Sequence, residues 1–182
     1  MKDWLFFPGI AMVAAAIILF ALRGGGDVAR LSEADVRSQG YGLSGDALID
    51  LTASPGTEVV VSDGTAKLVA IQDQANAPPG AGVFLTIPPR IERMFMGEEV
   101  EVVWKARRVR GEGGARIGYF TVGAGDSGWE DHALGEDWKE LALRFRPGRG
   151  EANFDYVGFW PSAGEADGVP VEVESVRVRL VP

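Results

Sequence analysis

The sequence predicts an all-β chain, an antiparallel β-sandwich preceded by one N-terminal transmembrane α-helix. The helix is predicted because the chain begins with a long run that is almost free of charge. The sandwich is predicted because apolar and polar residues alternate in short runs from about residue 46 onward. Gly at 25 and Pro at 10 among 182 residues supply turns between many short strands. We therefore predict an anchor over residues 1–23, a tether over 24–45 and a β-sandwich domain over 46–182.

The anchor is predicted from residues 4–22, which include no charged side chain. At a helical rise of about 1.5 Å per residue this run reaches about 28 Å, close to the roughly 30 Å hydrocarbon core of a bilayer. Trp4, Phe6 and Phe7 would lie at one interface of the bilayer and Arg23 at the other. A cleaved signal peptide is the alternative, but the apolar run is too long and no small-residue cleavage site follows it. The lipid bilayer is therefore a predicted partner.

The tether, residues 24–45, begins with three consecutive glycines, which make a flexible hinge. Ser32 followed by Asp35 resembles a capping box, so we expect a short helix near residues 32–38.

The sandwich is predicted from runs bounded by Gly, Pro, Asp and Ser, namely DALIDLTA, TEVVVSD, AKLVAIQD and GVFLTIPP. In EEVEVVWKARRVR, alternation places Val100, Val102, Trp104 and Ala106 on one face. The runs ARIGYFTV, WKELALRF, NFDYVGFW and VEVESVRVRLV follow. Because no long helical stretch separates these runs, their spacing is typical of an antiparallel sandwich.

The stretches GEEVEVVWKARRV, SGWEDHALGEDWKELALRFRP and FDYVGFWPSAGEADGVPVEVESVRV form a pattern. It consists of a glycine-led strand, a glycine–tryptophan turn, a strand opened by Trp and a final alternating strand. In this pattern, residues 46–181 resemble the galactose-binding-like jelly rolls, a group that includes many bacterial carbohydrate-binding modules. The resemblance implies a jelly-roll fold. There are two departures: Glu174 stands where the group has Asp, and FWPSAG is bulkier than the usual apolar run.

The resemblance also implies a structural calcium ion, held by carboxylates and carbonyls. The candidate carboxylates are Asp46, Asp50 and Glu174. No other cofactor is predicted.

The location of the β domain is predicted from the same resemblance. Counting the positive charges Arg23, Arg30 and Arg37 after the helix favours the cytoplasm, but large domains translocate with little regard to such charges. Because domains of this type are mostly extracytoplasmic, we predict a single-pass protein of the bacterial inner membrane with a periplasmic β domain.

Trp129 is the leading candidate for ligand or partner contact, because an exposed Trp ring can stack on the apolar face of a sugar. The Gly-rich stretch GAGDSGWEDH places polar side chains beside it, namely Asp126, Glu130, Asp131 and His132. Tyr156, Trp160 and Tyr119 would extend the platform. The alternative is structural: Trp129 plugs one end of the sandwich, Trp160 caps a loop and Trp138 packs at the rim. We predict Trp104 to be core.

Composition excludes several function classes. Cys is absent and His132 is the single histidine, so thiolate chemistry and His/Cys metal sites are excluded. A net charge of -8 and the lack of a dense basic cluster exclude a nucleic-acid partner. No nucleophile or cofactor motif appears, so we predict that the protein is not an enzyme.

Two functions are compatible with these features. The main hypothesis is a non-catalytic, single-pass accessory subunit whose sandwich docks on subunits of a larger membrane protein complex, respiratory, photosynthetic or involved in envelope assembly. The alternative is a membrane-tethered carbohydrate-binding module that recognises envelope or extracellular glycan.

Overall fold

The computed structural model describes residues 32–123, 125–163 and 167–181. The chain divides into a segment that ends at Asp35 and a unit that begins at Val36. None of the helices in the described ranges has the length and hydropathy needed to span a bilayer. The predicted anchor, residues 4–22, lies outside these ranges and stays a prediction.

Two antiparallel sheets form the unit, which confirms the predicted β-sandwich. The first sheet has the order β3-β4-β11-β6-β9, and β1 also pairs with β11. Its strands are β1 (Tyr41–Ser44), β3 (Thr57–Ser62), β4 (Thr65–Ala70), β6 (Val100–Arg108), β9 (Lys139–Phe145) and β11 (Val171–Leu180). The second sheet has the order β2-β5-β10-β7-β8. Its strands are β2 (Thr52–Ala53), β5 (Val83–Ile87), β7 (Gly113–Phe120), β8 (Trp129–Leu134) and β10 (Asp155–Trp160).

The core lies between the two sheets and follows the predicted alternation. Val100, Val102, Trp104 and Ala106 are all fully buried, which confirms the inward face predicted for β6. The ring of Trp104 lies 5.1 Å from that of Phe159 in the second sheet, so this pair joins the two layers. Burying such large apolar rings is the main source of sandwich stability.

The segment predicted as a tether contains two ordered elements. Helix α1 (Glu33–Gln39) begins with a capping box, in which the Asp35 N–H donates to Ser32 Oγ at 3.1 Å. Strand β1 follows and pairs with β11 from Tyr41 opposite Val178 onward. Tyr41 and Leu43 alternate into the core, so the first sheet begins before residue 46.

Three elements differ from the sequence prediction. The run DALIDLTA contains a 3-10 helix (Gly45–Asp50) before β2, because Leu48 and Leu51, three residues apart, both face the core. Helix α2 (Pro89–Phe95) starts with Pro at its first position and buries Ile91 and Phe95 at helical spacing. Strand β8 lies outside the runs predicted as strands, because Leu134 is its single buried residue and the strand therefore lacks apolar alternation.

Candidate functional site

A cleft of about 700 Å³ lies on the outer face of the second sheet. Residues such as Val83, Ile117 and Phe159 point into the core, so their immediate neighbours in each strand point outward. Five aromatic side chains reach the cleft from four strands, and they are Phe84, Phe120, Trp129, Tyr156 and Trp160. Aromatic rings therefore form the side of the cleft that belongs to the sheet.

Beneath the cleft-lining residues Phe120 and Ala81 lies a pair of glycines opposite each other in β7 and β10, Gly118 and Gly158, which we call the glycine floor. The ring of Phe120 lies across both, because an added Cβ at Gly118 would be 2.6 Å from that ring and one at Gly158 would be 2.9 Å from it. Trp129, the residue opposite Gly118 in β8, packs on Phe120 with ring centroids 4.8 Å apart. The two glycines thus let aromatic rings lie close to the sheet.

The rings differ in how much surface they offer to a ligand. Phe84 and Tyr156 form an edge-to-face pair with centroids 5.2 Å apart, and both are partly exposed, as are Phe120 and Trp129. Trp160 is only 1% exposed and meets Trp129 edge to face at 6.3 Å. Trp160 supports the site from below, whereas the other four rings present surface to the cleft.

One side of the cleft is formed by residues 71–82, the wall segment. It begins where the Ile71 N–H donates to the Gly56 carbonyl and ends where the Ser54 N–H donates to the Gly82 carbonyl. An added Cβ at Gly158 would lie 2.3 Å from the Ala81 carbonyl oxygen, so the end of the wall segment rests directly on the sheet. Its cleft-lining residues include Gln74 and Ala77 to Ala81.

Polar groups stand at the margin of the ring platform. Asp126, an exposed residue of the loop between β7 and β8, accepts a hydrogen bond from the Thr121 N–H at 2.9 Å. Among the described lining residues, Asp126 is the charged one, and Gln74, Ser54 and Tyr156 add neutral polar atoms. Aromatic faces with a few polar groups beside them are the composition of a site for amphipathic ligands.

The structure brings three of the four predicted binding residues together, namely Trp129, Tyr156 and Trp160. His132 is not among them, because alternation in β8 turns it to the opposite face from Trp129. Its Nε2 lies 3.2 Å from Glu130 Oε1, and burial lowers the pKa of the imidazole despite that carboxylate. Tyr119 also faces inward, fully buried, so it does not extend the platform.

Sequence inspection missed Phe84, Phe120 and the wall segment. Each of the two phenylalanines is out of phase with the buried residues of its strand, which is the signal that identifies an outward ring. Their meeting in one cleft depends on the order of the strands, and no short-range pattern encodes that order.

The carboxylates predicted to hold calcium are not gathered into a site. Glu174 pairs with Lys105, and Asp46 and Asp50 are exposed. In the described part of the chain, no group of three or more His, Cys, Asp or Glu side chains is placed to hold a metal ion. Calcium binding stays a prediction, without a ligand cluster to support it.

Two carboxyls with raised pKa values lie inside the sandwich and not in the cleft. Asp155 is 1% exposed and accepts a hydrogen bond from the Tyr119 hydroxyl at 2.7 Å, and Glu92 of α2 is 4% exposed. Burial raises the pKa of both carboxyls. Neither lines the cleft, so they do not form an acid–base pair facing a ligand there.

Comparisons with known proteins identify the fold. No family model matches the chain, and no curated protein matches it in sequence. The C-terminal family 22 carbohydrate-binding module of Clostridium thermocellum Xyn10B superposes with a TM-score of 0.55 at 14% identity, covering 77% of this chain and 91% of that one. The described sandwich has the fold of a carbohydrate-binding module. The CBM22-1 xylan-binding domain from Paenibacillus barcinonensis Xyn10C gives a TM-score of 0.53 at 14% identity, covering 78% of this chain and 93% of that one.

These similarities bear out the resemblance to carbohydrate-binding modules at the level of the fold. At this identity they carry no residue roles from one protein to the other, so the function must be argued from the cleft itself.

Proposed function

We propose that this protein is a non-catalytic module that binds a polysaccharide chain in the aromatic cleft of its second sheet. The single observation that carries the proposal is the cleft of about 700 Å³ whose lining combines partly exposed rings with polar groups at the margin. Pyranose rings have apolar C–H faces and hydroxyl edges, so ring faces and polar margins match them.

Trp129 and Tyr156 are the residues we expect to stack on sugar units. They lie on strands β8 and β10, on either side of β7, so a chain bound across the sheet would pass over both. Phe84 and Phe120 would widen the apolar surface, and Asp126 would accept hydrogen bonds from sugar hydroxyls. Because Asp126 and the net charge of -8 repel anions, we expect a neutral polysaccharide.

Xylan is the first ligand to test, because the neighbour from Paenibacillus barcinonensis is named a xylan-binding domain. The fold supports this alternative hypothesis from the sequence better than docking on a membrane complex, for which no surface of the described structure gives specific support. The anchor at residues 4–22 and a periplasmic domain remain our proposal for how the module is held at an envelope. An alkaline phosphatase fusion placed after the domain would be active if the domain is periplasmic.

The test is titration of the full chain with soluble neutral xylan, other neutral glucans and acidic polygalacturonate, followed by calorimetry. We expect saturable binding of a neutral glycan and weaker or no binding of the acidic one. Trp129→Ala should weaken binding roughly 30-fold, because loss of a central aromatic contact removes about 2 kcal/mol. Trp138→Ala is the matched control: Trp138 is also partly exposed, but it lies outside the cleft, where Arg107 stacks on its ring at 4.7 Å.

Wild-type affinity in the Trp138 variant and reduced affinity in the Trp129 variant would support the proposal. It fails if no glycan of the panel binds, or if both variants bind as tightly as the wild type.

A further inference from the structure

Arg116 of β7 hydrogen-bonds to three segments, and two of them, the wall segment and β8, contribute residues to the cleft. Its Nε donates to Asp131 Oδ1 at 2.5 Å, its Nη1 to Gln74 Oε1 at 2.6 Å and its Nη2 to the Ala163 carbonyl at 3.2 Å. Gln74 belongs to the wall segment, and Asp131 belongs to the edge strand β8. Ala163 follows the end of β10. One planar guanidinium with several donors in fixed directions is suited to such a three-way contact.

The position of Arg116 in the sheet places it next to the most buried ring of the cleft. Arg116 is directly opposite Trp160 in the register of β7 and β10. Trp160 in turn lies against the wall segment, because an added Cβ at Gly56 would be 2.8 Å from Ala77 and 3.1 Å from the Trp160 ring. The wall segment therefore covers Trp160 while Arg116 holds that segment through Gln74.

Three polar atoms of residues that line the cleft find no hydrogen-bond partner among the described residues. They are Ser54 Oγ, Gln74 Nε2 and Trp160 Nε1. Buried donors without partners destabilise the arrangement that buries them. These unpaired polar atoms raise the free energy of the state in which the wall segment rests on the sheet. The hydrogen bonds of Arg116 lower the free energy of that same state and so offset the cost.

We infer that Arg116 is a positioning residue of the glycan site: it holds the wall segment on the sheet, so that the cleft is preformed before a ligand binds. The part of this inference that concerns affinity rests on the proposed function. The part that concerns the wall segment does not, since it is a property of the free protein. Preforming a site lowers the conformational entropy lost on binding and so raises affinity.

The experiment is hydrogen–deuterium exchange on the full chain, with xylan titration as a second readout. Arg116→Met removes all three hydrogen bonds but leaves no buried charge, because the Asp131 side chain is 65% exposed. We expect exchange in peptides covering residues 71–82 to increase about tenfold or more, since a hydrogen bond to a charged group contributes at least that factor. Exchange in β6 should stay at the wild-type level. Xylan affinity should fall by roughly tenfold.

Two further variants make the test specific. Arg116→Lys keeps the charge but not the forked geometry, so we expect it to protect the wall segment only in part. Arg144→Met is the matched control, because Arg144 is also an outward, ion-paired arginine, but on the first sheet beside Glu101. We expect Arg144→Met to change neither exchange in residues 71–82 nor binding.

Wild-type exchange of the wall segment in Arg116→Met would overturn the inference. An equal increase of exchange in β6 would also overturn the inference, because the effect would then be global. Wild-type protection of the wall segment in Arg116→Lys would overturn it as well, because charge alone would then be sufficient. If the wild type binds no glycan, the proposed function fails, but the exchange comparison still decides whether Arg116 positions the wall.

Discussion

The outer faces of the two sheets carry different kinds of side chain. On the first sheet, acidic and basic residues of neighbouring strands pair with each other, as in Glu101 with Arg144 and Arg179, Lys105 with Glu174, and Glu172 with Arg107 and Lys67. On the second sheet, rings and two glycines occupy the corresponding positions. The first face is a network of ion pairs, whereas the second holds the aromatic cleft beside the ion pair of Arg116 with Asp131.

This difference indicates which face is available to a ligand. Oppositely charged side chains at a surface interact with each other and remain hydrated. A ligand that covers them must displace their bound water, and its own contacts with the paired charges do not compensate for that loss. When a ligand covers partly exposed rings, the free energy of binding becomes more favourable by about 25 cal/mol per Å² of apolar surface removed from water. The second sheet is therefore the face on which our proposal places the ligand.

The largest expected effect comes from filling the glycine floor of the second face. Gly158→Ala places a Cβ 2.3 Å from the Ala81 carbonyl oxygen, a backbone atom that can move only with the wall segment. We expect the free energy of unfolding to fall by about 2–3 kcal/mol, the upper range for overpacked sites. Chemical denaturation measures this free energy, and titration of the Gly158→Ala variant with xylan should show weaker binding.

The control for the floor is Gly135→Ala. Gly135 follows β8, and an added Cβ there meets nothing within 4 Å. Its stability should stay within about 0.5 kcal/mol of the wild type. Equal losses in the two variants would mean that the close packing of Gly158 against the wall segment adds nothing to the cost of a Gly→Ala change.

The second prediction contrasts an ion-paired carboxyl of the first face with the buried carboxyls behind the second. The hydrogen bond from Arg179 lowers the pKa of Glu101. Burial raises the pKa of Asp155 and of Glu92, and one oxygen of each has no hydrogen-bond partner among the described residues. A carboxyl whose pKa is raised by folding contributes stability while it is protonated, and that contribution is lost as pH rises through its folded-state pKa. A carboxyl whose pKa is lowered by folding contributes stability while it is ionised, and that contribution is lost as pH falls through its folded-state pKa.

We therefore expect Asp155→Asn to gain stability relative to the wild type as pH rises above the ordinary Asp pKa of about 3.9 and through the raised folded-state pKa. The side-chain carbonyl of Asn can still accept the hydrogen bond that the Tyr119 hydroxyl donates, so this contact is kept. Urea unfolding at a series of pH values measures the difference between the two proteins. A difference that does not change with pH would show that Asp155 has the same protonation state in the folded and unfolded chains.

The sequence predicts the first sheet better than the second. Strand β6 alternates strictly between buried and outward residues, so its inward face is evident from period alone. Strand β8 lies at an edge and has one buried residue, Leu134, so its polar sequence resembles a loop. The edge strand β9 of the first sheet is predicted because Leu141 and Leu143 alternate into the core, so what hides β8 is its lack of inward apolar residues and not its place at an edge.

The candidate site is predicted only in part for a related reason. Trp129, Tyr156 and Trp160 stand out as aromatic residues near turns or out of phase with their strands, so composition and period identify them. Phe84 and Gln74 are distant in sequence from Trp129, Tyr156 and Trp160. Phe84 reaches the cleft because β5 lies beside β10, and Gln74 reaches it because Arg116 binds the wall segment. Such long-range adjacency is set by topology, which local patterns do not encode.

The smallest expected effect is on the first face itself. Glu101→Gln removes the ion pairs with Arg144, whose Nε is 3.3 Å away, and with Arg179. Both arginines are more than half exposed, at 61% and 55%, so the loss in stability should be about 1 kcal/mol or less and should shrink in high salt. Xylan affinity should not change. A loss near that of Gly158→Ala, or any loss of binding, would mean that the two faces are not separate in function, because the ion pairs of the first sheet would then support the cleft of the second.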